Sequence, residues 1–526
     1  MPLSVILATV AFLAFSNAIN HPFVHDDIIF ILQNTQISHL DRLFEIFFQS
    51  NNNQTLPAGL NSYYRPFLEL LNRLQYHFFG FNAACFHFVN VVVHIFNGLL
   101  LFSVLRFLKF SQRMAFGISL LFLIHPVQTE AVACVSGFSN LACTFFILLT
   151  LRGYLQERYV LASFCFILAL LTKEQSVIVL PLIVLLDWYR GQKGRSIMWL
   201  SFAVLTFGFL WLRQAVSGSH LIQDILASPG EFYLRLLSIP NTVVMYLRLL
   251  ILPNDLHYYR NTDILANCYP GFWVLAGGAV GLFIFIKKFI DTRKDILFGL
   301  GWFLICLLPV LNIVPLINEY SLILTAEHFL YLPMLGIVII LARILKSIVS
   351  PKMFLGLAVL IGIYLMGLTI CQNTFWEGQI PLFERTVAYE KNFARGHILL
   401  AKSYYAEHQV EQAIIHYKRA LGIMEGYEKK ASNRKAKAFY LVYIKEIYSD
   451  LGTIYMQTLR FDQAMDIFNK ILTITPKDES LLNNIAICYL FKGDKAQAEA
   501  FLKLALGFNP NFKPARDNLN KLLENN

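Results

Sequence analysis

The sequence predicts an all-α protein in which a bundle of membrane-spanning helices is followed by a superhelix of short helical repeats. Three observations predict this. The 526-residue chain is 56% hydrophobic and only 15% charged, which is too apolar for a soluble protein of this length. Nearly all the long apolar runs lie in residues 1–371, whereas residues 372–526 are polar and rich in helix-forming residues. Within the polar part, a pattern of small and large residues recurs at a fixed period.

The apolar part divides into stretches long enough to cross a membrane, for which a helix needs about 20 mainly apolar residues. Eleven stretches come close to this length and predict spans near 2–19, 84–105, 114–127, 131–151, 158–171, 174–189, 196–212, 271–286, 296–316, 328–345 and 353–371. The first stretch resembles a signal peptide but lacks a basic region before it. We therefore interpret it as the first span.

The basic residues predict which way the spans run. They cluster in short turns between spans, such as the turn at 106–113, and basic turns are typical of the cytoplasmic side. All these turns fall on one side only if residues 232–252 do not cross, so we expect that segment to be a re-entrant or interfacial helix on the outer side. The outer side then holds a first loop at 20–83, the segment 213–270 and everything from residue 372 on. The net charge of +10 is explained by this orientation and requires no nucleic-acid partner.

The polar part repeats itself every 34 residues: Tyr455 and Tyr489 are separated by this interval, as are Ala464 and Ala498. Small residues at such positions let paired helices approach and large ones fill the gaps, which is the tetratricopeptide (TPR) pattern. An earlier copy stands 51 residues before the second, which is 34 plus a 17-residue insertion that includes the basic run at 429–437. The pattern predicts helix pairs near 394–426, 445–477 and 479–511 and a capping helix at 513–523, within a domain at 372–526.

Polar residues recur at the predicted outer ends of spans. They are His25-Asp26-Asp27, His125-Pro126 with Glu130, Lys173-Glu174 and Glu327-His328. Two adjacent carboxylates beside a span are costly to place there, so they indicate chemistry. Each position alone also fits a structural role, since Glu130 could cap a helix and Lys173 could pair with Glu174. We interpret His87 and His94, on the second predicted span, as core residues. It is the occurrence of the four motifs on one side of the membrane that favours a site.

Together these motifs resemble a known family. The residues that carry the resemblance are Phe23-Val24-His25-Asp26-Asp27 with Asn34, Tyr64-Arg65-Pro66, Phe86-His87 with Asn90 and His94, His125-Pro126 with Glu130 and Val132, Lys173-Glu174-Gln175, and Glu327-His328 with Leu330-Tyr331-Leu332-Pro333. The combination is similar to the GT-C superfamily of polytopic glycosyltransferases, which take a sugar from a polyprenyl-phosphate carrier. Within it, the match is to the transmembrane and TPR-repeat O-mannosyltransferases and their bacterial relatives.

The chain departs from this family at a few places. His328 follows Glu327 where the family often has Arg, and residues 136–140 lack the Arg and Asp that usually follow the His-Pro motif. The array, with three recognisable repeats, is shorter than in the long eukaryotic members. These differences bear on the sugar and the acceptor more than on the fold.

The resemblance implies a reaction and its setting. Residues 1–371 would form a GT-C transferase domain that moves a sugar, with mannose favoured, from a polyprenyl- or dolichyl-phosphate carrier to a hydroxyl, in the first place Ser or Thr of a protein. The lipid-linked sugar is then the donor, and a protein acceptor presented by the TPR array is the expected partner. No cofactor is implied with certainty, and a divalent metal is left open. The active site and the array would be extracytoplasmic, at a bacterial inner membrane or an endoplasmic reticulum membrane.

The resemblance also assigns roles to residues. Asp26 is the expected catalytic base, which takes the proton of the acceptor hydroxyl, and Asp27 is its expected partner in catalysis. Asp27 and Glu130 would orient the base, bind the sugar or hold a metal. The leaving phosphate must face cations, which are sought among Arg65, Lys173, Arg260 and His328. The expected substrate-binding residues are Arg65, His125, Glu130, Lys173, Glu174, Arg260, Glu327 and His328.

Two other classes of function compete with an enzyme. A membrane-anchored TPR scaffold without catalysis would use the spans only as an anchor, and it gives no reason for an acidic pair beside the first span. A transporter commonly has paired inverted repeats and ionisable residues at mid-membrane. The sequence has no such repeat, and its ionisable residues lie at the ends of spans.

Overall fold

The computed structural model of the protein describes residues 2–42, 44–48, 63–192, 195–217, 229–260, 268–288, 292–311, 325–430 and 434–524. The Asn-rich tip of the first predicted outer loop, with the glycosylation sequon Asn53-Gln54-Thr55, lies outside these residues, as do parts of the segment 213–270. Within them the regular structure is helical, and strand pairing is limited to one isolated bridge between Arg260 and Thr325. The predicted all-α class is therefore confirmed. The chain divides into two compact units, Met1–Arg385 and Thr386–Asn526.

The first unit is built from helices of very different lengths. They are α1 Leu3–Phe15, α2 Glu45–Phe48, α3 Pro66–Phe79, α4 Ala83–Phe107, α5 Gln112–Ile124, α6 Thr129–Ala133, α7 Phe138–Leu155, α8 Tyr159–Thr172, α9 Val179–Arg190, α10 Ser196–Ser217, α11 Pro229–Ile251, α12 Cys268–Lys288, α13 Arg293–Leu307, α14 Met334–Ile348 and α15 Pro351–Asn373. Short 3-10 turns connect several of them, among which Pro126–Gln128, Val135–Gly137, Glu174–Ile178 and Glu327–Leu330 matter below. Helix α16, Gln379–Tyr389, runs across the division between the units.

The lengths and composition of these helices suit a membrane. Among the described residues, five apolar helices are long enough to cross one: Ala83–Phe107, Val135–Leu155, Ser196–Val216, Gly271–Lys288 and Pro351–Trp376. A sixth candidate is the pair Gln112–Ile124 and Pro126–Ala133, which is bent by 52° at Pro126. Shorter apolar helices lie at Leu3–Ala18, Tyr159–Thr172 and Leu236–Ile251. The count of eleven spans, and the position of residues 232–252 on the outer side, stay predictions.

Two predicted spans begin later in the structure than in the sequence pattern. Residues 174–178 form a 3-10 turn, so that α9 begins at Val179 instead of 174. Glu327–Leu330 form another such turn, and α14 begins at Met334, directly after Pro333. A proline ring fixes φ and removes a donor, which suits the start of a helix better than its middle. The acidic residues of both motifs consequently lie on turns, where their side chains are not restricted to a helix face.

Helix α4 carries a polar face into the core of the first unit. Asn90, His94 and Asn97 lie at spacings of four and three, which places them on one side of a helix. The Asn90 amide donates to the Cys134 carbonyl at 2.8 Å, and the Asn97 amide donates to that of Leu141 at 3.0 Å. The His94 ring bridges the Tyr331 hydroxyl at 2.7 Å and the Leu123 carbonyl at 3.0 Å. His87 and His94 are both buried, as predicted for core residues, and these bonds tie α4 to the motif-bearing turns.

The second unit consists of antiparallel helix pairs. Its helices are α17 Ala394–Ala406, α18 Val410–Lys430, α19 Arg434–Gln457, α20 Phe461–Ile474, α21 Glu479–Phe491, α22 Lys495–Phe508 and α23 Lys513–Glu524. The basic insertion lengthens α18 at its end and α19 at its start. A Cβ on Gly452 would collide with the Phe468 ring, and Tyr455 is buried, which is the small-and-large packing that the repeat pattern predicts.

Two facing glycines allow α13 and α14 to pack closely. A Cβ on Gly299 would lie 2.5 Å from the Gly336 carbonyl oxygen, and a Cβ on Gly336 would collide with the Gly299 carbonyl in return. Both obstacles are backbone atoms, which cannot rotate away. Helix α14, which starts after the Glu327–His328 turn, can therefore pack directly on α13 because neither Gly299 nor Gly336 has a side chain.

We expect Gly299→Ala and Gly336→Ala each to destabilise the protein by about 1–3 kcal/mol, which is typical of overpacking in a tight core. The measurement is the Tm of the full chain in detergent micelles. Gly277→Ala in α12 is the matched control, because a Cβ there meets open space. An unchanged Tm in both test variants would contradict the close packing of α13 on α14.

Candidate active site

The predicted outer motifs meet at one end of the first unit. The Asp27 carboxylate contacts the turn Val135–Gly137, Glu130 contacts His328, Lys173 contacts Asn140 on α7, and Arg65 contacts Glu174. The end of α15 also lies there, because the Asn373 amide donates to the Ala14 carbonyl at 2.9 Å. Segments far apart in the sequence thus form one polar region at the ends of apolar helices.

Asp27 is completely buried and is fully engaged with backbone groups. Its carboxylate accepts the Ser136 N–H at 2.7 Å, the Val135 N–H at 3.3 Å and the Val24 N–H at 3.1 Å. The Cys134 thiol donates to the same carboxylate at 3.3 Å. Burial raises the pKa of Asp27 to about 6, although these donors oppose the shift. These contacts are structural, since they fasten the loop after α1 to the turn before α7, and a catalytic role for Asp27 stays a prediction.

Asp26, the neighbour of Asp27, is oriented differently: its side chain is 42% exposed. The residue before it, His25, has φ +49°, a left-handed conformation that is uncommon outside glycine. His25 Nε2 lies 3.1 Å from Asp26 Oδ1 and 2.5 Å from the Tyr258 hydroxyl. One carboxylate of the pair is therefore built into the fold, while the other is accessible.

Glu130 and His328 form a hydrogen-bonded pair that joins two of the motifs. Glu130 Oε1 lies 2.8 Å from His328 Nδ1, and its Oε2 accepts the His328 backbone N–H at 2.8 Å. Glu130 is buried, whereas the His328 side chain is 24% exposed. A Cβ on Gly137 would collide with the Ala131 carbonyl, so this glycine allows the chain to fold tightly over the short helix that carries Glu130. The pair is held rigidly, with His328 at the accessible side.

Glu327 belongs to a second ionic group, centred on the segment after α11. Its Oε1 accepts the His257 backbone N–H at 2.6 Å and Arg260 Nη2 at 3.0 Å. Arg260 Nη1 also lies 3.7 Å from Asp255, whose Oδ2 is 2.9 Å from Arg248. Two arginines and two carboxylates alternate in this group, which includes the predicted residues Arg260 and Glu327.

A third group surrounds Glu174. Arg65 binds this carboxylate with two parallel contacts, Nη2 to Oε1 at 2.6 Å and Nε to Oε2 at 2.9 Å. Arg213 on α10 lies near enough to act on both Glu174 and Arg65. Burial alone would raise the pKa of Glu174, but the charge of Arg65, with those of Arg213 and Lys173, lowers it to about 2. Glu174 is therefore an ionised carboxylate within a group of three cations.

Lys173 connects this group to the others. It is buried, and its ammonium donates to the Asn140 side-chain oxygen at 2.7 Å. Asn140, Gln175 and His328 line the same small cavity. Asn140, which binds Lys173, and His328, which binds Glu130, therefore line the same cavity.

His125 has the contacts of a structural residue. It is 4% exposed, its Nε2 donates to the Leu250 carbonyl at 3.1 Å, and its Nδ1 accepts the Val127 N–H at 3.2 Å. Both ring nitrogens are thus used in shaping the turn after α5 and tying it to α11. Its expected role in substrate binding stays a prediction, which the structure does nothing to favour.

The sequence did not identify three members of this region. Tyr258 is absent from the motifs, and nothing in its neighbourhood predicts its contact with His25. Asn140 lies in residues 136–140, where the chain departs from the family motif. That departure could have marked Asn140 as a candidate site residue. Arg213 follows Phe209 by one helical turn, and Phe209 packs near Tyr64 at 6.4 Å between ring centroids, which brings the arginine towards Arg65.

Among the described residues, no group of three or more His, Cys, Asp or Glu is arranged to hold a metal ion.

Comparisons with known proteins support the family resemblance. A tetratricopeptide-repeat family model matches residues 446–520. Protein O-mannosyl-transferase F38B6.6 of Caenorhabditis elegans is 28% identical over 220 residues, which cover 40% of this chain and 32% of that protein. Human protein O-mannosyl-transferase TMTC4 is 29% identical over 35% of this chain and 28% of its own length, and mouse protein O-mannosyl-transferase TMTC1 is 33% identical over 27% and 16%. The chain resembles the transmembrane and TPR-repeat O-mannosyltransferases.

This confirms the resemblance inferred from the motifs, and it confirms TPR repeats in the second unit. The aligned regions span a third or less of the length of these relatives. A solved structure, the APC/C hetero-tetramer Cut9-Hcn1, aligns with 78% of this chain and 83% of that chain at 15% identity, but its TM-score of 0.25 is too low to indicate a shared fold.

The low pKa of Glu174 predicts a pH dependence of stability. Its pKa falls from 4.5 in the unfolded chain to about 2 in the folded protein, so ionisation of Glu174 stabilises the fold. This contribution, about 3 kcal/mol, is present above pH 4.5 and is lost as the pH falls towards 2. Glu174→Gln should therefore lower the Tm at pH 6, and the difference from wild type should shrink as the pH falls from 5 to 3.

The control is Glu157→Gln, because Glu157 also pairs with an arginine, Arg195, but is 60% exposed. Exposed pairs contribute little, so its Tm difference should be small at every pH. A Tm difference for Glu174→Gln that does not change with pH would contradict the stabilising ion pair with Arg65.

Proposed function

We propose that the protein is a membrane glycosyltransferase that moves a sugar, with mannose favoured, from a polyprenyl- or dolichyl-phosphate carrier to a hydroxyl of a Ser or Thr residue in a protein acceptor. The observation that carries the proposal is the accessible Asp26 carboxylate in a region where charged and imidazole groups from six separate segments converge. The relatives from Caenorhabditis elegans and human are named as protein O-mannosyl-transferases, which is the same class of reaction.

Asp26 takes the role of catalytic base in this proposal. Transfer with inversion requires removal of the acceptor proton, and a carboxylate within about 2.6–3.2 Å of the hydroxyl does this. Asp26 is half exposed, so a hydroxyl can reach it. Asp27 cannot easily be approached, because it is buried under three backbone N–H groups and a thiol. Its part in the reaction is to fix the loop that carries the base.

The charges favour one of the ionic groups for the phosphate of the donor. The phosphodiester becomes a dianionic monoester as the sugar leaves, so cations must face it. Among the described residues, Arg65, Lys173 and Arg213 surround a single carboxylate, that of Glu174. Arg260 instead faces both Asp255 and Glu327. We therefore assign the phosphate to Arg65 and Lys173, with Glu174 holding Arg65 in place.

The remaining residues suit a sugar. His328, whose side chain is 24% exposed, offers an imidazole that hydrogen-bonds hydroxyls, and the buried carboxylates of Glu130 and Glu327 lie beside it. Arg260 would act through Glu327, to which it donates. No divalent metal is required by this assignment, because the cations named above meet the phosphate charge. The lipid-linked sugar is a substrate.

The second unit would contribute the acceptor. We propose a GT-C transferase domain at 1–371, with the outer loop 20–83 and the outer segment 213–270, and a TPR domain at 372–526 that presents a protein acceptor. The active site and the array would lie on the extracytoplasmic side of a bacterial inner membrane or an endoplasmic reticulum membrane. The alternative is a membrane-anchored TPR scaffold, which requires neither an accessible Asp26 nor cations around Glu174.

The deciding experiment is a donor panel. The purified full chain is incubated with different polyprenyl-phosphate sugars, and release of free lipid phosphate is measured with and without an acceptor peptide. We expect release with one sugar of the panel, and Arg65→Gln should raise the KM for that donor at least tenfold. No release from any donor would contradict the enzyme and favour the scaffold.

Asp26→Asn should reduce transfer to about 1% or less of wild type, since general-base catalysis contributes typically 10²–10⁴-fold. The substitution keeps the size of the side chain and removes its basicity, so the Tm should stay unchanged. Asp27→Asn should instead lower the Tm, because its amide would turn donor hydrogens towards the N–H groups that the carboxylate accepts.

Asp41→Asn is the control, because Asp41 is an acid in the same loop and is 73% exposed. It should retain the wild-type rate. A near-normal rate for Asp26→Asn on a verified donor would show that another group is the base.

A further inference from the structure

The surroundings of His25 are unusual for a loop residue. Its imidazole is 5% exposed and lies beside an aspartate that is 42% exposed. The ring packs edge-on against Tyr258 at 4.4 Å and Phe383 at 5.5 Å between centroids, with interplanar angles of 66° and 90°. Phe383 is itself fully buried. The imidazole is thus fixed by aromatic rings, while its Nε2 points towards both Asp26 and the Tyr258 hydroxyl.

The backbone on both sides of this contact is in a sparsely populated conformation. His25 has φ +49° and Tyr259, next to Tyr258, has φ +56°. A side chain in this left-handed region costs of order 1–3 kcal/mol and persists only where the surroundings enforce it. Such residues cluster at functional sites, where the strain fixes a geometry. Here the strained residues adjoin the exposed aspartate and its neighbouring hydroxyl.

An exposed carboxylate has a physical disadvantage as a base. Its side chain can rotate among several rotamers, and most of them point away from an acceptor hydroxyl. Groups that work by proximity must be held close to the productive geometry, and a displacement of about 1 Å costs on the order of 10² in rate. Asp26 therefore needs a partner that is more rigid than itself. His25 is the buried polar side chain that lies within hydrogen-bond distance of it.

We propose that His25 is a positioning residue that orients the Asp26 carboxylate, and that the Tyr258 hydroxyl orients His25 in turn. The proposal rests on the role of Asp26 given under Proposed function. With Asp26 ionised, the single Nε2–H is shared between Asp26 Oδ1 and the Tyr258 hydroxyl oxygen, which both accept it, and the second carboxylate oxygen stays available to the acceptor hydroxyl. Tyr258 acts through the imidazole. The link also couples the loop after α1 to the segment that carries Arg260, the partner of Glu327, because Tyr258 lies two residues before Arg260.

The test measures kcat and the donor KM separately in the full chain, using the polyprenyl-phosphate sugar that wild type accepts. His25→Gly removes the imidazole but tolerates a positive φ, so it separates the ring from the backbone strain. We expect kcat to fall on the order of 10²-fold, with the donor KM changed less than about threefold. His25→Gln, whose amide Nε2 donates from a comparable distance, should restore part of the loss. Tyr258→Phe should lower kcat by about tenfold.

The double variant distinguishes positioning from general loss of structure. If Tyr258 acts through His25, then His25→Gly with Tyr258→Phe is no slower than His25→Gly alone, whereas independent effects would multiply. His39→Ala is the control, because His39 is an exposed histidine in the same loop, at 43%, and should keep the wild-type kcat. The Tm of each variant is measured in parallel. Should His25→Gly unfold, Tyr258→Phe alone still tests the proposal, because it deletes one hydroxyl.

Each outcome has a definite meaning. A wild-type chain that releases no lipid phosphate from any donor overturns the proposed function, and this inference with it. A wild-type chain that is active, with His25→Gly and Tyr258→Phe at the wild-type kcat, overturns the inference alone. Multiplying effects in the double variant, or a change in the donor KM without a change in kcat, also overturn it.

Discussion

The site depends on one buried carboxylate, that of Asp27. It receives hydrogen bonds from Val24 in its own loop and from Val135 and Ser136 in the turn before α7. Hydrogen bonds to charged groups are the stronger ones, and removing a partner inside the protein leaves donors that water cannot reach. The Asp27 carboxylate therefore fixes the loop after α1 to the turn Val135–Gly137. Glu130 lies a few residues before the turn Val135–Gly137, and Asn140 lies a few residues after it. The contact of Asp27 with this turn therefore fixes the first loop relative to both Glu130 and Asn140.

The ionic group around Glu327 and the ionic group around Glu174 differ in their ratio of cations to carboxyl groups, and this difference is the basis for assigning the phosphate to the second group. Arg260 and Arg248 alternate with Asp255 and Glu327, so that each of these arginines has a carboxyl partner in the group. Around Glu174, in contrast, the cations outnumber the carboxylate. In the proposed reaction, the dianionic lipid phosphate would be attracted to the group around Glu174. Asn140 and His328 line a small cavity, and through them it is connected to Lys173 and Glu130, their respective partners.

The sequence predicted much of this arrangement and missed its details for physical reasons. Hydropathy, the repeat period and the motifs identified the helical class, the TPR array and the stretches that converge. The different exposures of Asp26 and Asp27 could not be predicted, because neighbouring residues in a loop point in directions set by the backbone, and here by the positive φ of His25. Helices α9 and α14 begin after the predicted spans do, because the short 3-10 turns Glu174–Ile178 and Glu327–Leu330 precede them. Tyr258 was missed because its partner is 233 residues away.

The amount of buried charge at this end of the bundle argues that it is there for chemistry. Replacing a buried ion pair by apolar side chains of similar volume is often neutral or stabilising, since desolvation offsets the Coulomb attraction. Compared with such apolar replacements, the bundle gains little stability from the Arg65–Glu174, Arg260–Glu327 and His328–Glu130 pairs, even though removing one partner of a pair is destabilising, and it must supply each pair with further hydrogen bonds. Strained backbone at His25 and Tyr259 adds to that cost. These groups fit the proposed site, which must stabilise a leaving phosphate and orient a base, better than they fit a fold that only anchors a repeat array.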